Sequence, residues 1–435
     1  MKEKHLMNNR ILGLNELLVT RPELFEPIPL RIGVTTENPE GYENGSVADW
    51  RGTVTPENRI EIIDNGESLV SLAQGSFITF CTNDYAKKLG NSAYEQELPG
   101  SYLSSFARES VREMLKEAQA LLPFGYRLIV FDVWRSLETQ YAAYKLCFDS
   151  LVSKLVKEGV INEQIAQDLP SQVTELISRE TQKYISLPSP KPDFMHPTAE
   201  EVEVGKKIPS PHNTGGSVDA AIVRIDDEKL EELESIENLL LDDKRPDDDP
   251  DRISLRFRLA EIYRMHSTMP NYGTNFDYAG EEAALTFYET NAGNEEVRNW
   301  RRMLYNVMTK VGFKPYSDEW WHYNYGNQMA RTTELRETGV KAPAIYGGID
   351  LTPEQKDREH KHTMVFGLLV KLALNPNNII GIPDELRDYV TVESLKQLSA
   401  NIGDPRSARS LGDPHDMVYR GNIPKSLIDE IRSNI

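Results

Sequence analysis

At 435 residues the chain is long enough for a large core with insertions, or for a core plus a further domain, and it can bury a functional site. Its 49 lysines and arginines stand against 68 aspartates and glutamates, a formal charge of −19 with the acids spread along the whole chain, which argues against a surface that tracks nucleic-acid phosphates. The two cysteines, in "TFCTND" and "KLCFDS", lack the spacing of a thiolate metal site and read as packing residues.

The first 75 residues are broken by Pro, Gly and Asn and give little regular signal, and nothing in the N-terminal stretch resembles a secretion signal. A strand is expected at "SFITFC", then a helix over 101–122, where Leu103, Phe106, Ala107, Met114, Leu115, Ala118 and Leu122 recur at helical spacing. Pro123 and Gly125 stop it, and "YRLIVFD" reads as a short strand covered on both faces. Helices are expected over 137–159 and 162–184, followed by a proline-rich loop from Leu187 to Pro211. "VDAAIVRI" is strand-like; an acidic helix, the run "DDKRPDDDPD" and a helix over 252–265 come next, the acid run reading as a solvated loop. "NEEVRNWRRMLYNVMTKVG" is the clearest helix, capped by Asn294, with Val297, Trp300, Met303, Leu304, Val307, Met308 and Val311 as its buried stripe. The aromatic "SDEWWHYNYGN" is strand-like by composition, and residues 352–435 read as a separate run of helices. Within that run "MVFGLLVKLAL" holds Lys371 and falls well short of the ~20 residues that span a bilayer, so a soluble, cytoplasmic protein is expected.

Of the eight histidines, two have chemically useful neighbours. His360 and His362, two apart on a charged helix, read as surface residues. His212 lies seven residues before Asp219 with Gly215 and Gly216 between them, glycines that let a turn and the start of a strand converge on one point. His322 follows Glu319 by three residues. Two imidazoles, a carboxylate ligand and a spare carboxylate are what a hydrolytic zinc site uses: three ligands at about 2.0–2.2 Å, an open fourth position for water, and a base to take its proton. On the residues alone a core histidine in an aromatic strand is the favoured reading of "EWWHY", and in a flat strand Glu319 and His322 face opposite sides. Both reach one metal only if the backbone bends between them.

"FDVWRSLETQ", "SPHNTGGSVDAAIV" and "SDEWWHYNYGN", in that order, resemble the signature blocks of the VanX-type D-alanyl-D-alanine dipeptidases, zinc peptidases that share an α+β fold with DD-carboxypeptidases and the Hedgehog signalling domain. The resemblance runs from about residue 75 to 347, broken by insertions near 150–205 and 226–265. It implies one zinc per chain held by His212, Asp219 and His322, with Glu319 as general base and Arg135 stabilising the oxyanion. It further implies that Ser210 helps hold the substrate's terminal carboxylate, that Asp277 in "MPNYGTNFDYAG" receives its free amine, and that Trp320 and Trp321 wall and orient the site. Ser136 stands where the family usually has proline, and Phe80 where a tyrosine often helps bind the amino end.

The expectation is therefore a small, mainly antiparallel sheet with flanking helices: an irregular segment over 1–75, a catalytic domain over 76–350 with helical insertions, and a helical extension over 351–435. Its substrate is expected to be a small D-amino-acid dipeptide, with no nucleic-acid or membrane partner. A wall-peptide carboxypeptidase or endopeptidase with the same zinc chemistry, and a zinc-holding module without catalysis, are the alternatives.

Overall fold

The structure is a computed structural model that describes residues 10–44, 60–72, 80–81, 98–182, 185, 209–242, 244–245, 249–276, 278, 280–291, 293–375, 381–386, 391–401 and 423–435. Its strands, in chain order, are β1 (Arg31–Ile32), β2 (Tyr42–Glu43), β3 (Leu69–Ser71), β4 (Phe80–Cys81), β5 (Phe106–Arg108), β6 (Tyr126–Asp132), β7 (Ser217–Ile225), β8 (Ser267–Thr268), β9 (Lys314–Pro315) and β10 (His322–Asn324). Six form the central sheet in the order β4-β6-β7-β10-β9, with β8 pairing the far end of β7. Only β4 and β6 run parallel; the other pairs of this sheet are antiparallel, so the expected α+β class holds.

β6 and β7 are apolar on both faces because helices cover both sides, and Leu128, Ile129, Val130, Ala220, Ala221 and Ile222 are fully buried. The helix Glu295–Lys310 supplies Trp300, Met303, Leu304, Val307 and Met308 to this core and also buries Val297, its first turn capped by Asn294 Oδ1 accepting from Val297 N–H at 3.2 Å. Gly312, at φ 106°, ends it in a conformation that suits glycine.

Three sequence expectations change. Residues 101–122 do not form one helix: Phe106–Arg108 is a strand paired with Leu69–Ser71, and the helix is Glu109–Leu121. Its N-terminal partner is remote in sequence, Glu67, which accepts from both the backbone N–H and the Oγ–H of Ser110. The helical region 162–184 is two pieces, Glu163–Gln167 and Ser171–Thr181, the second starting after Pro170. The C-terminal helices are not separate from the rest. Leu427 and Ile431 of the helix Lys425–Arg432 join a second core with Tyr144, Phe148 and Ile177, while the helix Pro353–Leu374 touches Pro250–Met265. Among the described residues no helix is long and apolar enough to cross a membrane.

Candidate metal centre

The β6–β7–β10 ladder builds the site. His322 pairs directly with Asp219 across β10 and β7, and a register shift between Val130 and Asp132 brings Asp132 opposite Asp219 as well. That bulge re-aims Asp132 from the sheet toward the site. His212 comes from the turn Pro211–Thr214, which precedes β7 and is closed by Gly215 in the left-handed region at φ 68°. Gly216 follows in close packing: a Cβ there would collide with the carbonyl of Tyr325.

The result is that ligand atoms of His212, Asp219 and His322 all lie within 4.8 Å of one another, and all three side chains are buried. Asp219 divides its oxygens: Oδ1 is 2.8 Å from His322 Nδ1, and Oδ2 is 3.4 Å from His212 Nε2. The outer nitrogens are spoken for. His212 Nδ1 donates to the carbonyl of Val133 at 2.7 Å and lies 3.4 Å from Asp132 Oδ2; His322 Nε2 meets Asn324 Oδ1 at 3.2 Å. Asn324 Oδ1 also accepts from Ser217 Oγ and Asn327 Nδ2, which fixes it as the acceptor and gives His322 Nε2 the donor role. Each imidazole thus turns one nitrogen inward with its lone pair available, oriented by an outer hydrogen bond in the manner of metal-binding histidines.

Two nitrogens and a carboxylate are a donor set that suits zinc; tetrahedral ligands at about 2.0–2.1 Å stand about 3.3 Å apart, a spacing met by the 3.4 Å between His212 and Asp219, while the 2.8 Å between Asp219 and His322 is shorter. Burial lowers the pKa of both histidines, His212 to about 3 against the opposing pull of Asp132, so both imidazoles are neutral and fit to ligate near neutral pH.

Glu319 stands before a turn at 320–321, where His322 N–H reaches back to the Glu319 carbonyl at 3.4 Å. The bend demanded by the sequence is therefore present, and Glu319 Oε2 lies 3.5 Å from His322 Nδ1 with the side chain 27% exposed. Arg135 is nearly buried; Asp132 Oδ2 accepts from its Nε and Nη2, and Gln140 Oε1 from its Nη1 at 2.8 Å. Its charge is felt by both imidazoles, lowering their pKa. Ser210 is buried at the start of the His212 turn, its carbonyl accepting from Asn213 N–H at 2.9 Å. Asp277 lies outside the described residues. Ser136, in place of proline, caps the helix Leu137–Lys157 through Thr139 N–H.

Two groups of the centre were not singled out from sequence. Asp132, which joins Arg135 to His212, was visible only as part of "FDVWR"; Asn324, two residues past His322, carried no signal of its own. Asn213 adds a third link, donating from Nδ2 to the carbonyl of Arg135 at 2.7 Å. Behind the turn sits Arg108, fully buried: Nε donates to the carbonyl of Thr214, Nη2 to Asp64 and the carbonyl of Gly347.

Residues 261–338 match the family model peptidase M15, described as D-ala-D-ala dipeptidase. This is the family expected from the three sequence blocks. The M15 segment covers Glu319 and His322 but not Arg135, His212 or Asp219, which the fold brings to it. The chain thus carries the marks of a zinc metallopeptidase: an M15 segment and a His-Asp-His group able to hold a metal. No curated protein matches the chain.

The M15 segment also explains the tryptophans, which are 1% and 2% exposed and so anchor the site's surroundings from beneath. Trp320 stacks on Tyr272 with centroids 4.2 Å apart and donates from Nε1 to Thr274 Oγ1, and Trp321 meets Phe276 edge-on at 5.6 Å. Together they fasten the loop that precedes Asp277. Arg301 fastens the same loop, donating to the carbonyls of Tyr272, Glu282 and Ala284, with burial lowering its pKa to about 10. Arg301→Met leaves those carbonyls without their donor, and a loss of roughly 3 kcal/mol in unfolding free energy is expected, read as a lower denaturation midpoint. A midpoint equal to the parent's would show that the loop does not depend on the clamp.

Proposed function

We propose that the chain is a zinc-dependent dipeptidase that cleaves a short peptide of D-amino acids, most simply D-Ala-D-Ala. The observation that carries this reading is the Glu319 carboxylate, 3.5 Å from His322 Nδ1, outside the His212–Asp219–His322 group and still reached by solvent. Bound zinc supplies the Lewis acidity that lowers the pKa of water and polarises the scissile carbonyl. Glu319 takes the proton of the attacking water and delivers it to the departing amine. Arg135, held by Asp132 and Gln140, brings positive charge to the oxygen on which negative charge develops. Ser210 and Asp277 hold the substrate's carboxylate and amine, and pairing both termini restricts the enzyme to dipeptides. D-alanine recovery, or removal of a dipeptide on which antibiotics act, are roles such an activity serves.

The test is metal analysis of the purified protein with a D-Ala-D-Ala cleavage assay before and after chelation. About one zinc per chain, loss of cleavage on chelation and recovery on adding zinc are expected. A metal-free protein indifferent to chelator would sink the reading, and faster cleavage of a wall pentapeptide than of the dipeptide would replace it with a carboxypeptidase.

A further inference from the structure

Asp132 and Arg135 line a small cleft, partly open to solvent, together with Ser101, Tyr102, Ser104, Ser105, Trp134 and Thr139. The wall 101–105 is neither helix nor strand, so its backbone groups need partners from elsewhere in the chain. The helix Pro353–Leu374, from the C-terminal extension, provides them. Glu359 Oε2 accepts from the backbone N–H of Ser104 at 3.0 Å, and His362 Nδ1 is 3.3 Å from Ser104 Oγ. Glu359 and His362 face each other at 3.7 Å and are 1% and 3% exposed, so His362 is not the surface residue that its charged surroundings in sequence imply. Burial pushes the Glu359 carboxyl up, but the hydrogen bonds from His362 and Ser104 outweigh it and hold the group below the usual carboxylate range.

The path into this helix is fastened to the site as well. Ile349 N–H donates to the carbonyl of Asn213, next to His212, and the Ile349 carbonyl accepts from Trp134 Nε1, next to Arg135. Leu351 packs with Leu69, Phe106 and Trp134, whose ring stacks on Tyr102 at 6.1 Å. Ser104, His362 and Glu359 do not form a nucleophilic relay: the hydroxyl and the carboxylate address the same nitrogen, Nδ1, whereas a relay needs one partner on each.

We infer that the C-terminal extension is part of the substrate pocket: Glu359, with His362, is a positioning residue that fixes the 101–105 wall beside Arg135 and thereby sets how tightly substrate is held. For its kinetic consequence the inference rests on the dipeptidase reading; for the wall itself it does not. The two are separated by measuring backbone hydrogen exchange and cleavage on the same full-length, zinc-loaded proteins. In Glu359→Ala, exchange across 98–105 is expected to rise about tenfold while 210–225 is unchanged, because Ser104 N–H loses its acceptor. KM for D-Ala-D-Ala is expected to rise about five- to tenfold with kcat and zinc content near the parent's. Glu359→Gln, which keeps an acceptor for Ser104, restores both. If Glu359→Ala does not fold, His362→Leu is read in the same way, with about a threefold rise in KM.

Unchanged exchange over 98–105 overturns the inference whatever the activity. So does a fall in kcat with KM constant, or loss of zinc, because either places Glu359's effect on the metal centre instead of the wall. A parent chain that does not cleave the dipeptide overturns the proposed function, and the exchange result alone then decides the wall.

Discussion

Glu319→Gln is expected to keep its zinc and lose on the order of 10³-fold in kcat on D-Ala-D-Ala, within the range that general bases contribute. The amide has the volume of the carboxylate and can keep a hydrogen bond to the same neighbours, but it cannot accept a proton from water. Because Glu319 approaches His322 from beyond the turn at 320–321, outside the buried three-residue group, its loss leaves the ligand set intact. Metal content by atomic spectroscopy and steady-state kinetics check the two halves. A variant as fast as the parent removes Glu319 from the role of base; a variant that is metal-free makes it a ligand.

The second large effect falls on Asp219. Its two oxygens face the two imidazoles, so Asp219→Ala removes both a ligand and the group that holds His212 and His322 at their separation. Zinc affinity is expected to fall by more than the ~10–100-fold typical of losing an outer hydrogen-bond partner. A metal that binds only the folded state stabilises it by about 4 kcal/mol at a thousand times its Kd, so the parent's melting temperature rises with zinc and that of Asp219→Ala does not. Equal zinc-dependent stabilisation of both proteins would exclude Asp219 from the ligand set.

The inner residues of the centre were legible through the resemblance of three blocks in one order, since the residues alone favoured a core histidine in "EWWHY"; the structure brings His212, Asp219 and His322 together and puts a turn between Glu319 and His322. What surrounds them was not legible because it depends on register. Asp132 reaches His212 only through the irregularity at Phe131, and a one-residue slip would send it to the other face. The misread helix over 101–122 has the same origin. Its apolar spacing is helical, but Leu69–Ser71 claims 106–108 as a strand partner and Glu67 sets where the helix starts. His362 shows the limit of reading charge as exposure, since residues two apart on a helix cannot share a face: His360 is exposed and His362 is buried against Ser104.

Arg108 holds together pieces of chain that synthesis places far apart, with Asp64 44 positions before it, Thr214 106 positions after it and Gly347 239 positions after it. Closing loops of that length comes before any reward from the contacts they permit. The turn that presents His212 therefore acquires its backing only once residues on both sides of the M15 segment have met. Zinc uptake is expected to lag behind chain collapse, making metal loading a report on the completed fold.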